Sequence, residues 1–382
     1  MDLTSVIDSI VATSEVESVI ELNESTIDVP TCDLLVLNGV LDKLNPSDTE
    51  RFLSRAHASA GHILTVDARN RSMVAPFGSF SCRPVHVSDG KVVTLIAGSG
   101  RTLNDLKYNP IHRVTFNERV FIAILARNKA HCLPKYLECI ERLDYDKGQI
   151  VLYINTNNNS DNTVEVLKEW MDRHRKQYSR VIFESEDCAE LTGDLTGPHQ
   201  WNHLRCSVLA NIRNRSLKMA TENECDYYFV ADCDNFIVNP YTLKELIRER
   251  KPIVAPMLVC FPSNPYYSNY WTAVDVNFWY KGDSRYHQIL NWIDRGSHKV
   301  PVVHCTYLID CSFASSLSYW EEVTDPNVNY MEFASFCRSA IRNDIDQYVC
   351  NNNFYGYIYL PADGLTLQEE ATDLAKYVEG LN

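Results

Sequence analysis

Two aspartates two positions apart follow a run of apolar residues, and they are the strongest chemical signal in the sequence. Tyr227–Ala231 predicts a buried strand, and Asp232 and Asp234 come directly after it, separated by a cysteine. Side chains at positions i and i+2 of an extended segment point the same way, so both carboxylates can approach one divalent cation. The spacing therefore predicts a site for Mn²⁺ or Mg²⁺, although an Asp-x-Asp also occurs in ordinary caps and turns.

A diphosphate would explain why a cation is needed at this point. When the glycosidic bond of a sugar nucleotide breaks, the leaving group carries several negative charges, and a bridging cation stabilises them. A third ligand is expected at His304, within VPVVHCTYLID (300–310), since imidazole is a common ligand for cations of this class. A hydrogen-bonded core histidine is the alternative for His304.

Strand-like and helix-like segments alternate from Arg119 onward. Continuous apolar runs, typical of strands buried on both faces of a parallel sheet, occur at 120–126, 150–154, 181–183 and 227–231. Apolar residues at helical spacing lie between them, with the longest helix expected around Leu204–Ala220. This alternation predicts an open α/β sheet that binds ligands at the carboxyl ends of its strands.

The N-terminal part has a pattern of its own. It predicts strands at 32–37, 62–66 and 91–97 and a helix at 47–60, which together indicate a smaller α/β module. The polar stretch 104–119 predicts the boundary between this module and the rest of the chain. We therefore divide the chain into a module of unknown role at 1–115 and a main domain at 116–382.

Composition excludes several classes of protein. Lysine and arginine number 36 against 50 aspartate and glutamate, so a formal charge of −14 argues against a general binder of nucleic acid or of anionic membranes. No apolar segment approaches the roughly 18–20 residues that span a bilayer, and no signal peptide is evident. The 13 cysteines are odd in number and scattered, which indicates reduced residues, and we expect a cytoplasmic protein.

Ordered blocks across residues 119–360 resemble the procollagen galactosyltransferase family, along its N-terminal glycosyltransferase domain. The blocks are AILARNKAHCLPKYLECIERLDY (123–145), SDNT (160–163), DYYFVADCDNFIVNP (226–240), PIVAPML (252–258), YSNYW (267–271), VPVVHCTYLID (300–310) and YVCNNNFYGY (348–357). The resemblance implies a GT-A fold of the α/β class, a UDP-sugar donor, Mn²⁺ and transfer with inversion. Family members carry a second glycosyltransferase-like domain and a signal sequence, and from the sequence we expect neither in this chain.

The expected nucleotide contacts lie after the first two strands and on the helix before the Asp-x-Asp. They are Ala126, Arg127, Asn128, Asn157, Asp161, Arg213 and Asp232. A guanidinium can bind diphosphate, and an amide can bind the edge of uracil, although the family has an aspartate where this chain has Asn157. The alternatives are a solvated Arg127, an N-cap at Asp161 and a surface salt bridge at Arg213.

An inverting transfer needs a general base on the acceptor side. The resemblance implies Glu332, within NYMEFASF (329–336), where the family has two aspartates and this chain has Met331 and Glu332. A carboxylate on a helix surface is the alternative. Aromatic residues at 266–280 can stack on sugar rings or form core.

The sequence thus predicts a metal-dependent glycosyltransferase that moves a sugar from a UDP-sugar to a protein or glycan hydroxyl. A glycosyltransferase-like module that binds a nucleotide or partner without turnover is the main alternative, and a nucleotide-sugar phosphohydrolase or nucleotidyltransferase is a weaker one. A second copy of the chain stays a candidate partner. A compact enzyme of this kind would suit a virus or microbe that glycosylates its own surface proteins.

Overall fold

The structure is a computed structural model. It describes residues 19–22, 32–38, 60–68, 81–88, 91–97, 116–191, 201–264, 266–378 and 381. The first five of these segments are strands of one sheet in the order β1-β2-β3-β5-β4, with β1 (Val19–Leu22), β2 (Cys32–Asn38), β3 (Ala60–Ala68), β4 (Ser81–Ser88) and β5 (Lys91–Ala97). The three strands predicted here are confirmed. Most of the helix predicted at 47–60 lies outside the described residues, and the boundary at 115/116 stays a prediction.

An eight-stranded mixed sheet organises the rest of the described chain, in the order β14-β17-β11-β16-β9-β6-β7-β8. Its strands are β6 (Val120–Ala126), β7 (Ile150–Thr156), β8 (Arg180–Glu184), β9 (Tyr227–Ala231), β11 (Ile253–Pro256), β14 (Ser297–Val300), β16 (Thr306–Asp310) and β17 (Gln347–Cys350). The block β8-β7-β6-β9 is parallel, whereas β16 runs antiparallel to both β9 and β11. The predicted α/β class is confirmed, because the apolar runs form the parallel strands.

Helices connect the strands and cover the sheet. They are α1 (Leu133–Arg142), α2 (Thr163–His174), α3 (His203–Glu222), α4 (Thr242–Glu249), α5 (Ser284–Leu290), α6 (Glu332–Arg342) and α7 (Leu367–Ala375). The helix α3 begins at a side-chain cap, since Asn202 accepts a hydrogen bond from the backbone N–H of Arg205. Among the helices of the described residues, none combines the length and apolar character that a membrane span requires.

Two smaller sheets brace the end of β9. One has the order β10-β18-β12, with β10 (Asn235–Ile237), β12 (Val259–Pro262) and β18 (Gly356–Leu360), and the other pairs β13 (Tyr270–Trp271) with β15 (Val302–Val303). Because β10 begins directly after Asp234, its pairing with β18 holds the Asp-x-Asp turn. The backbone N–H of Tyr359 also donates to the carbonyl oxygen of Asp234 at 2.8 Å.

Glycine is required where β18 meets β10. Gly356 has a φ of +153°, and a Cβ added there would lie 2.0 Å from the carbonyl oxygen of Phe236. No side chain fits at that distance, so the close approach of these two backbones depends on the missing Cβ.

Most cysteines of the described residues pack as small apolar side chains. Eight of these eleven are buried, and all eleven are free thiols.

Candidate active site

A cleft of about 270 Å³ opens at the carboxyl ends of the parallel strands. The charged and amide side chains that line it are those of Arg127, Lys129, Asn155, Asn157, Arg205, Arg213, Asp232, Asp234 and Glu332. They come from the end of β7, from the loops after β6, β7 and β9 and from α3 and α6, so residues far apart in sequence meet at one edge of the sheet. This is where an open α/β sheet is expected to bind its ligand.

Asp232 is held by a buried arginine. Its Oδ1 accepts a hydrogen bond from Nη2 of Arg213 at 2.7 Å. Burial raises the pKa of Asp232 above its ordinary value, although the guanidinium acts in the opposite direction. The backbone is fixed as well, since the N–H of Asp232 donates to the carbonyl oxygen of Cys305 at 3.0 Å, and Cys305 has a left-handed φ of +64°.

Asp234 pairs with a different basic side chain. The Nζ of Lys129, in the loop between β6 and α1, donates to Oδ2 of Asp234 at 2.8 Å. Burial opposes the charged form of this lysine, yet Asp234 and neighbouring acidic groups hold the pKa of Lys129 above its usual value. Each aspartate of the Asp-x-Asp therefore has a cationic partner of its own within the described residues.

Arg213 links Asp232 to the expected base. Its Nε lies 3.7 Å from Oε1 of Glu332, and the two side chains are only 5% and 9% exposed. The Nε and Nη1 atoms of Arg213 are buried and have no hydrogen-bond partner in the described part of the chain. Arg213 therefore does not form a surface salt bridge, and Glu332 is not a carboxylate on a helix surface.

Glu332 is the first residue of α6. Burial raises the pKa of its carboxyl group above the ordinary value, while Arg213 counteracts the shift and Asp232 adds to it. A carboxyl group with a raised pKa accepts a proton more readily than a solvated one.

His304 is buried beside the cleft but does not line it. Its ring packs among Tyr267, Trp271 and Phe333, and its Nδ1 lies 2.9 Å from Sγ of Cys305. Burial lowers the pKa of His304 to about 3, so the imidazole is neutral, and its buried Nε2 has no hydrogen-bond partner among the described residues. The predicted trio of Asp232, Asp234 and His304 is not brought together, since no three His, Cys, Asp or Glu side chains of the described residues form a metal-binding group.

Two of the expected nucleotide contacts build the loops instead of lining the cleft. Asn128, at φ +56°, accepts a hydrogen bond on Oδ1 from the N–H of Ser160 at 2.7 Å. Asp161 accepts from Thr163 on Oδ1 and from the N–H of Ala130 on Oδ2. Both side chains tie the loop after β6 to the loop after β7, and Asp161 does so next to the start of α2.

Ala126, Arg127 and Asn157 line the cleft as expected. The Nε of Arg127 donates to the carbonyl oxygen of Asn158 at 3.3 Å. Asn157 is 9% exposed, and its Oδ1 is buried without a hydrogen-bond partner in the residues that the structure describes. A buried acceptor without a partner needs a donor to satisfy it, and the N–H of a nucleobase is a donor of the required type.

Sequence reasoning missed Lys129, Arg205 and Trp201, among other residues of the cleft. Lys129 follows Arg127 and Asn128 in the same loop, and that adjacency was the available signal. Arg205 lies with its guanidinium 4.8 Å from the ring centre of Trp201, and both line the cleft. No sequence signal singled out this pair, because their contact with the cleft depends on how α3 packs.

The donor set of the Asp-x-Asp fits a hard divalent cation. Oδ2 of Asp232 and Oδ1 of Asp234 accept no hydrogen bond from the described residues, so each carboxylate keeps one oxygen available. Carboxylate oxygens are the ligands that Mg²⁺ and Mn²⁺ prefer.

Comparison with known proteins gives the family. Residues 117–378 match the family described as "Glycosyltransferase family 25, N-terminal domain". The chain belongs to glycosyltransferase family 25. The predicted resemblance is confirmed, and the family 25 domain has the α/β organisation expected of a GT-A glycosyltransferase.

The family 25 relatives include a protein that is named as a galactosyltransferase and a protein that is named as inactive. The chain is 38% identical over 258 residues to procollagen galactosyltransferase 2 of Mus musculus, covering 67% of this chain and 41% of that protein. It is 34% identical over 260 residues to inactive glycosyltransferase 25 family member 3 of Mus musculus, covering 66% and 43%. The chain thus spans about two fifths of the length of these relatives. Among solved structures, S. aureus TarS 1-349 in complex with UDP-GlcNAc is 14% identical at a TM-score of 0.42, covering 65% of this chain and 60% of that one.

Proposed function

We propose that the family 25 domain transfers a sugar from a UDP-sugar to a hydroxyl group of a protein or glycan acceptor, with inversion at the anomeric carbon. The observation that carries the proposal is the convergence of Asp232, Asp234, Arg213 and Glu332 in one cleft at the carboxyl ends of the strands. Such a reaction requires charged groups that bind the diphosphate. It also requires a buried carboxylate that accepts the proton of the acceptor hydroxyl.

The nucleotide is assigned to the side of the cleft formed by β6 and β7. Arg127 supplies a guanidinium at the end of β6, and the unpaired Oδ1 of Asn157 supplies an acceptor for a base. The main chain at Ala126 lies at the same wall. Charge-assisted hydrogen bonds from arginine to diphosphate are strong and directional, so these residues fix the orientation of the donor.

Asp232 and Asp234 would hold the divalent cation through their remaining oxygens. When bound, such a cation neutralises the charge that develops on the diphosphate leaving group. His304 is not assigned to this cation, because its ring does not line the cleft and does not form a metal-binding group with the two aspartates in the described residues.

Glu332 is assigned as the general base. The acceptor oxygen forms a bond to the anomeric carbon, the bond from that carbon to the diphosphate breaks, and the acceptor proton passes to an Oε atom of Glu332. A raised pKa brings a carboxylate closer to the pH at which a base is most effective. Arg213 lies between this carboxylate and Asp232, so it also orders the two acidic groups.

A nucleotide- or partner-binding module without turnover is the second candidate. Asn157 and Met331 stand where the procollagen galactosyltransferase family has aspartates, and some relatives are named inactive. A nucleotide-binding module agrees with the proposal on the nucleotide and differs in the fate of the donor sugar, whereas a partner-binding module differs in both.

A thermal-shift panel of nucleoside diphosphate sugars, with and without Mn²⁺, tests the binding half of the proposal. A ligand of the folded state must raise the melting temperature, so we expect UDP-sugars with Mn²⁺ to give the largest shift. Release of UDP and formation of an inverted product with a hydroxylysine peptide or a glycan then separates the enzyme from the binding module. Shifts that are equal for every nucleotide and independent of Mn²⁺ would contradict the proposal.

A further inference from the structure

Lys129 contacts a carboxylate that the proposed function assigns to a divalent cation. Its Nζ lies 2.8 Å from Oδ2 of Asp234, and the two side chains are only 19% and 23% exposed. A pair that is largely shielded from water interacts more strongly than an exposed surface pair. The ammonium group therefore neutralises Asp234 as long as no other cation does.

The backbone directs this lysine toward Asp234. The N–H of Lys129 donates to Oγ1 of Thr163 at 2.8 Å, and its carbonyl oxygen accepts from the N–H groups of Cys132 and Leu133 at the start of α1. The residue is thus fixed on both sides by α2 and α1. The fixed backbone keeps Nζ within reach of the cleft, while the flexible four-carbon stem lets Nζ move between neighbouring anionic oxygens.

Among the described residues that line the cleft, basic side chains outnumber carboxylates. The cationic side chains are those of Arg127, Lys129, Arg205 and Arg213, and the carboxylates are those of Asp232, Asp234 and Glu332, which gives four against three. The whole chain, by contrast, carries a formal charge of −14. A diphosphate therefore meets cationic partners in this cleft before any metal binds.

We propose that Lys129 is an internal counter-ion, which competes with the divalent cation for Asp234 and binds the diphosphate when it leaves that carboxylate. The inference rests on the proposed function, because it concerns the same nucleotide and the same cation. The three N–H donors of a lysine allow Nζ to exchange one anionic oxygen for another. Nucleotide and cation then support each other's binding, since a diphosphate that attracts Lys129 releases Asp234.

Two titrations by calorimetry test this idea on the full chain, one with MnCl₂ alone and one with UDP alone in EDTA. For Lys129→Met we expect Mn²⁺ to bind more tightly and UDP to bind more weakly, each on the order of tenfold, because the competing cation is removed and Asp234 is left to repel the diphosphate. Lys129→Gln, which keeps a donor but loses the charge, should give the same pair of shifts. Lys129→Arg should stay near wild type in both titrations.

Lys244→Met is the matched control. Lys244 on α4 is also buried and pairs with Asp144 at 2.9 Å, but it does not line the cleft. The variant changes the net charge by the same amount, and both affinities should stay within about twofold of wild type, as expected for a distant charge screened by salt.

The opposite signs of the two shifts separate the inference from a folding defect. Variants of Lys129 that weaken both ligands, or that change neither, overturn the inference. If wild-type protein binds UDP with Mn²⁺ and the Lys129 variants behave like wild type, the proposed function stands. Only the counter-ion role of Lys129 is then refuted. Wild-type protein that binds neither ligand refutes both.

Discussion

Arg213 and Asp232 are joined by a hydrogen bond of 2.7 Å between Nη2 and Oδ1. The arginine lies on α3 and is 5% exposed, whereas the aspartate follows β9 and is 30% exposed. The pair therefore connects the interior of the domain to the cleft. Because Glu332 also lies 3.7 Å from the guanidinium, one side chain organises two carboxylates that would otherwise repel each other.

Arg213→Met should destabilise the protein strongly. Removing the guanidinium leaves Asp232 and Glu332 near each other without their buried counter-charge, and breaking a buried ion pair on one side costs about 3–5 kcal/mol. Arg215→Met is the control, since Arg215 on the same helix is 64% exposed and should cost less than about 1 kcal/mol. Urea denaturation of both variants measures the difference, and equal losses of unfolding free energy would contradict the role assigned to Arg213.

Glu332→Gln should retain binding of UDP and Mn²⁺ while lowering turnover by roughly 10²–10⁴-fold, the usual contribution of a positioned base. Glutamine keeps the size of the side chain but cannot accept the acceptor proton. Glu322→Gln, which changes an exposed carboxylate, is the control and should leave turnover unchanged. An inactive Glu332→Gln that has also lost UDP binding would indicate a structural role instead.

The pH dependence of turnover tests the same residue. Burial raises the pKa of Glu332, and a base must be deprotonated to work, so turnover should fall as the pH decreases through a value above that of an ordinary glutamate. Initial rates between pH 4 and 9 with wild-type protein measure this limb of the profile. A rate that stays flat down to the ordinary range of a glutamate pKa would argue against a buried base.

Gly356→Ala should be severely destabilising, by more than about 4 kcal/mol. The new Cβ would lie 2.0 Å from the carbonyl oxygen of Phe236, so β18 and β10 must separate next to the Asp-x-Asp turn. Gly364→Ala is the control, because Gly364 also has a positive φ, of +82°, but no atom within 4 Å of the added Cβ. Its cost should be about 1–2 kcal/mol, from backbone strain alone. Thermal or urea unfolding of the two variants compares these costs, and similar values would show that the close approach is unimportant.

The parallel half of the fold was predictable from the sequence, because strands buried on both faces read as continuous apolar runs. The run at 120–126 matches β6, and the run at 227–231 matches β9. The small sheet of β10, β18 and β12 was not predicted. Its strands are three to five residues long and lie far apart in the chain, so no local pattern identifies them.

The candidate site was predictable only in part, because some of its contacts join residues that lie far apart in the chain. Asp232 and Asp234 were identified because their spacing after a strand is a local signal. Lys129 was missed because its pairing with Asp234 spans 105 positions and depends on the loop after β6. Asn128 and Asp161 were expected to contact the nucleotide, but their side-chain oxygens already bind the two loops together.

Asp234 is proposed to hold a divalent cation that supports the nucleotide, and the affinity of UDP for Asp234→Asn with and without Mn²⁺ tests this assignment. An amide cannot replace an anionic ligand, so we expect the variant to lose most of the gain in UDP affinity that Mn²⁺ gives wild-type protein, while UDP binding in EDTA is retained. Asp310→Asn, at the end of β16 and outside the cleft, should keep the full gain. Calorimetry that finds the same Mn²⁺-dependent gain for Asp234→Asn as for wild type would contradict the assignment of Asp234 to the cation.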